Sequence, residues 1–163
     1  HLFNWLIWPD FSRIPSPERP FLEYRSIALG EPNRLGDREI TAIPASHTVP
    51  AVGYRLRGAH ASLIFSGDTE SHDALWDAAA GSADLGDLIV EASFTEDLAE
   101  LARLSKHYSP GSLVRDLVRL RPAIRVWITH LKPGQEEAIV GEINSASPGC
   151  RVSALAQDQI FEL

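Results

Sequence analysis

Four polar side chains stand just beyond apolar runs: His47 after Thr-Ala-Ile-Pro-Ala-Ser, Asp68 after Leu-Ile-Phe-Ser-Gly, Glu91 after Leu-Ile-Val, and His130 after Val-Trp-Ile-Thr. Imidazole and carboxylate oxygen together suit zinc, manganese or iron. A carboxylate such as Asp68 can bridge two ions, and two ions about 3.5 to 4 Å apart clamp the oxygens of an in-line phosphoryl displacement. Taken singly, each residue has a plainer explanation. An aspartate in Ser-Gly-Asp-Thr is as readily a turn former that caps nearby amides, and a lone histidine at a strand end is more often a packed structural residue. Convergence of several at one edge is what turns the reading toward metal chemistry.

Other residues extend this set. Glu91 would be costly if buried without a partner, so it requires a cation or a hydrogen-bond donor. His107, in the loop Ser-Lys-His-Tyr-Ser between two amphipathic segments, can reach the same edge. An imidazole held by a carboxylate is a usable proton donor, which makes Glu91 and His107 a candidate acid pair. Lys132, two residues past His130, can meet a phosphate as a point charge or stand solvated at the surface. His60 in a turn and His72 at a helix start are explained by exposure and capping.

The elements that must position these residues follow from hydrophobic period and turn chemistry. Val52, Tyr54 and Leu56 alternate, Gly58 and Ala59 supply a turn, and Ser-Leu-Ile-Phe-Ser follows, which predicts a hairpin. With that turn, residues whose numbers sum to about 117 face each other, so position 49 lies opposite Asp68 and His47 meets it. Segments 22–28 and 38–45 alternate as strands, with 29–37 between them as turns. Helices are expected over 72–81, 95–104, 110–120 and 135–146, and short buried strands over 87–94 and 124–128. Segments 150–155 and 159–163 close the chain as strands. The alternation of strand and helix predicts an α/β layer, and ligands of such sheets gather beyond the carboxyl ends of the strands.

Composition narrows the function class. Fifteen basic against twenty-two acidic side chains give a net charge of −7, which repels a nucleic-acid backbone and favours a small substrate. The single Cys150 rules out an internal disulfide and a cysteine metal cluster. The apolar stretch Leu2–Trp8 is too short to span a bilayer and lacks the features of a secretory signal, so no membrane role is expected. A cytoplasmic location is expected, with the periplasm open. Four prolines within residues 9–20 predict an extended connector. The chain begins at His1 and has no methionine, which reads as a portion of a longer polypeptide.

The segments Ser-His-Thr-Val-Pro-Ala-Val-Gly-Tyr, Phe-Ser-Gly-Asp-Thr, Glu-Ala-Ser-Phe, Lys-His-Tyr-Ser-Pro and Ile-Thr-His-Leu-Lys-Pro-Gly, in that order, resemble the C-terminal portion of the metallo-β-lactamase fold hydrolases. His-Leu-Phe-Asn-Trp-Leu-Ile-Trp-Pro-Asp-Phe and Thr-His-Leu-Lys-Pro-Gly resemble most the class II 3′,5′-cyclic-nucleotide phosphodiesterases. The resemblance implies an α/β fold, the αββα sandwich, of which 1–163 would be the C-terminal part: a mixed sheet with helices on one face. It implies two divalent metal ions, zinc foremost, with His47 on one, His130 on the other and Asp68 bridging. It assigns Glu91 and His107 to the leaving-group proton, in hydrolysis of a cyclic nucleotide to the 5′-nucleotide by metal-bound hydroxide attack. The superfamily's His-x-His-x-Asp-His motif is missing from the sequence, so the chain as given should hold metal poorly. The transfer-RNA 3′-end processing nucleases share part of the pattern, and a non-catalytic half-domain used for binding or as a homodimer is the third reading.

Overall fold

A computed structural model describes residues 3–146 and 149–163. His1 and Leu2 of the first quoted motif lie outside the described residues. The main sheet has seven strands: β3 (Pro32–Leu35), β4 (Arg38–Pro44), β5 (Val52–Arg57), β6 (Ser62–Phe65), β7 (Leu85–Glu91), β8 (Arg125–Thr129) and β9 (Arg151–Ala154), side by side in that order. Pairings from β3 to β6 are antiparallel and those from β6 to β9 are parallel. Parallel neighbours need crossovers, and these carry α1 (Asp73–Gly81), then α2 (Ala99–Ser105) with α3 (Pro110–Leu117), then α4 (Glu136–Ser145). No helix among the described residues is long and apolar enough to cross a membrane.

One core joins the helices to one face of the sheet. Ile64, Leu88, Val90, Val126 and Ile128 point to it from the strands, and Leu75, Trp76, Leu113, Leu117, Ile139 and Ile143 from the helices. Full burial of each such side chain is worth about 1.5–3 kcal/mol. Helix α3 shows how the sequence builds this layer. Pro110 opens it, Ser109 and Ser112 close a capping box, and Leu113 and Leu117 sink into the core. The helix ends at Leu117, three residues earlier than its leucine stripe suggests, and Leu120 reaches the same core from the turn that follows. The result is the fold expected, a mixed sheet with helices on one face.

Three local expectations are corrected. Segment 22–28 forms no strand, whereas Pro32–Leu35, read as turn, pairs with β4. Gly36 at φ 63° supplies the tight turn between β3 and β4, so the strand precedes the Gly-Asp pair instead of being replaced by it. Segment 159–163 is apolar but unpaired: Phe161 packs edge-on against Trp127, ring centroids 5.8 Å apart, on the face opposite the helices. Its terminal residue Leu163 lies where a side chain on Gly58 would be, which is why glycine suits that position. The proline-rich stretch folds back as a small hairpin, β1 (Pro15–Ser16) with β2 (Arg19–Pro20).

Candidate functional site

Strand β4 runs antiparallel to β5, which runs antiparallel to β6, so β4, β6, β7 and β8 all deliver their carboxyl ends to one edge. His47, Asp68, Glu91 and His130 follow or end those four strands. The β5–β6 register differs from the expectation by two residues, because the turn spans Gly58 to Ala61 and Arg57 pairs with Ser62. Loop-to-loop bonds, not the ladder, bring the first two residues together. Ser46 N–H donates to Thr69 Oγ1 at 2.9 Å, and Glu70 N–H donates to Ser46 O at 2.9 Å. Gly67, at φ +64°, makes the bend that turns Asp68 toward the edge.

The rings of His47, His107 and His130 form a row, with centroids 4.9 Å apart between the first two and 5.0 Å between the last two. His107 reaches the middle because Lys106 ends α2 in the left-handed conformation at φ 58°. His130 itself has φ 60°, an uncommon backbone state for a residue that is not glycine. Such strain clusters where a side chain must be aimed.

The hydrogen bonds fix the tautomers. His47 Nδ1–H donates to the carbonyl of Lys106 at 3.2 Å, since a carbonyl only accepts. Buried Glu91 accepts from Thr69 N–H at 3.1 Å and from His107 Nδ1–H at 2.7 Å through Oε1, and from Ser93 Oγ–H at 3.0 Å through Oε2. With its hydrogen thus committed, Ser93 Oγ accepts from His130 Nδ1–H at 2.9 Å, a proton that also faces Asp68 Oδ1 at 3.3 Å. In all three rings Nδ1 is the engaged nitrogen, which leaves the Nε2 lone pair as the ligand atom.

Ser93 escaped the sequence reading, although it touches Glu91, His107 and His130. Its only signal there was its place two residues past Glu91 at the end of a buried strand. Burial pushes the Glu91 carboxyl up to about 7, while its bonds from Thr69 and Ser93 pull the other way. Burial, then the nearby His47, lowers the His107 pKa, with Asp68 opposing. Glu91, His107 and His130 each offer an atom within 4.8 Å of the others. Glu91 is nonetheless better placed as the brace of His107, because both its oxygens are already occupied by donors. Lys132 is also at this edge, with Nζ 3.6 Å from the centroid of the Phe94 ring. His60 is exposed in its turn, as expected. His72 stands at the N-cap of α1 but makes no capping bond, and its buried Nε2 has no partner, so capping does not explain it.

Imidazole nitrogen and carboxylate oxygen are donors that suit a divalent cation, and among the described residues the group whose ligand atoms converge within 4.8 Å is Glu91, His107 and His130, with Asp68 Oδ1 3.3 Å from His130 Nδ1 and His47 outside that group. Proteins of known family and structure bear on the fold. The family described as "Beta-lactamase superfamily domain" matches residues 7–131, most of the chain. The chain belongs to that superfamily. Its fold is similar to that of the metallo-β-lactamase fold protein YhfI from Bacillus subtilis, at 19% identity and TM-score 0.66, over 80% of this chain and 52% of that one. It is similar to the short form of human tRNase Z, at 17% identity and TM-score 0.55, over 77% of this chain and 42% of that one. It is also similar to a diphosphatase from the PhnP family, at 20% identity and TM-score 0.56, over 83% of this chain and 48% of that one. No curated protein sequence matches the chain. The superfamily member described here thus spans about half the length of these solved structures.

Proposed function

We propose that the whole protein is a metal-dependent phosphodiesterase whose substrate is a 3′,5′-cyclic nucleotide. The observation that carries the reading is the row of three imidazoles, each with Nδ1 engaged and Nε2 free, beside a buried carboxylate that holds the middle ring. His47, Asp68 and His130 would hold divalent metal, zinc foremost. When bound, such ions lower the pKa of water and offset charge on phosphoryl oxygens. His107, once it has taken up a proton at Nε2 and become an imidazolium, would give that proton to the departing ribose oxygen and return to the neutral ring, while Glu91 keeps the ring oriented by accepting from Nδ1–H. The net charge of −7 supports a small phosphoester over a long polyanion.

The test is an assay of the full-length protein with cyclic AMP and cyclic GMP in the presence of zinc or manganese. Release of the 5′-nucleotide is expected. Cleavage of bis(p-nitrophenyl) phosphate with no turnover of either cyclic nucleotide would refute the substrate. Tight, steeply salt-dependent binding of transfer RNA would favour an RNA-processing role instead.

A further inference from the structure

The chain has two lysines, and they are held differently. Lys106 Nζ lies 3.3 Å from Glu70 Oε1. Lys132 Nζ instead rests on the face of the Phe94 ring, and among the described residues it pairs with no carboxylate. The loop that His130 opens carries Lys132, so its charge stands at the mouth of the histidine row. Phe94 is 5% exposed, so packing fixes its ring, whose centroid is 5.9 Å from that of His107. The ammonium also contributes to lowering the His107 pKa, which puts it within electrostatic reach of that imidazole.

A solvated lysine spreads over many rotamers, and confining it costs conformational entropy when a ligand binds. An aromatic face attracts a cation and narrows that spread beforehand. The ring leaves the positive charge uncancelled, unlike a carboxylate. In a chain of net charge −7, an uncancelled cation beside a row of imidazoles selects for an anion.

We propose that Phe94 is a positioning residue that holds the Lys132 ammonium at the mouth of the site, where it binds a non-bridging phosphoryl oxygen of the substrate. This rests on the phosphodiesterase reading above. The contact is made to substrate and transition state alike, so the effect falls on KM with kcat little changed.

The experiment is a double-mutant cycle in the full-length, metal-loaded protein, with Phe94→Leu, Phe94→Tyr and Lys132→Gln. Phe94→Leu keeps an apolar side chain but removes the ring, and should raise KM roughly threefold to tenfold. Lys132→Gln should raise KM about tenfold or more. Phe94→Tyr keeps the ring and should restore KM. In the Lys132→Gln background, Phe94→Leu should add nothing. An unchanged KM in Phe94→Leu, or an equal rise with and without Lys132, would overturn the positioning role. If Phe94→Leu does not fold, Lys132→Gln decides, because an unchanged KM there removes the contact that Phe94 is said to arrange. If the parent turns over no phosphodiester, the functional reading fails by itself. The same cycle is then read by calorimetric titration of inorganic phosphate, where equal affinity for parent and Phe94→Leu refutes the proposal.

Discussion

Replacing Ser93 with alanine removes a single oxygen atom, yet that atom joins three site residues. Two consequences can be worked from the geometry. First, buried Glu91 loses the donor to Oε2, and His130 loses the nearer of two acceptors for Nδ1–H, keeping only Asp68 Oδ1 at 3.3 Å. An unsatisfied buried polar group costs about 1–3 kcal/mol, and at about 2–4 °C per kcal/mol for a domain of this size the melting temperature should fall by several degrees. Second, His130 is freed to rotate or to place its proton on Nε2, which removes the lone pair needed for a ligand. Loss of such an orienting partner lowers metal affinity by about 10- to 100-fold. Competition of the full-length protein with a chromophoric chelator measures the affinity, and differential scanning calorimetry of the metal-free form measures the stability. Ser93→Thr keeps the hydroxyl and should retain most of the affinity. If Ser93→Ala binds metal within twofold of the parent, the hydroxyl does not set the His130 tautomer and the ligand assignment built on it fails.

Four further outcomes are expected. His107→Ala should lower the turnover rate about a hundredfold or more with metal content unchanged; metal lost along with activity, by elemental analysis, would make His107 a ligand instead. Asp68→Ala should abolish turnover while circular dichroism shows the fold retained, and a rate within tenfold of the parent would refute its bridging role. Leu113→Ala, deep under α3, should cost about 2–5 kcal/mol in urea unfolding with an unchanged slope. Burial pushes the Asp84 carboxyl up, but its bond to Arg55 at 2.6 Å outweighs this and its pKa ends below the ordinary value. A lowered folded-state pKa gives stability that is present above the unfolded value of about 3.9 and is lost as pH falls through the folded one. Unfolding midpoints at pH 6 and pH 3 should therefore differ less in Asp84→Asn than in the parent.

The gathering of these residues at one edge was legible in the sequence wherever a buried strand had to end. Asp68, Glu91 and His130 each follow a run too apolar to be surface, and a charged or ring residue there must face the carboxyl edge. His47 was found by a hairpin register that proved two residues off, and it is the Ser46–Thr69–Glu70 bonding that places it. Ser93 was not legible, because its importance lies in a partner 37 residues away in the chain. The same holds for elements. Strands β7 and β8 announce themselves by composition, whereas Pro32–Leu35 is polar and exposed and becomes a strand only because β4 offers it an edge. Segment 159–163 has strand composition, yet its aromatic residue is drawn onto Trp127 instead of into a ladder.

The run of parallel strands has a consequence for how such a protein can change. The backbone leaving β9 still bonds to β8, Leu155 N–H to Ile128 O at 2.8 Å, and so emerges on the same rim as the histidines. From there it crosses the bare side of the sheet to meet Gly58 at the far rim. Residues 156–158 are all exposed, so length can change there, on the rim that carries the histidines, without reaching the buried layer under the helices.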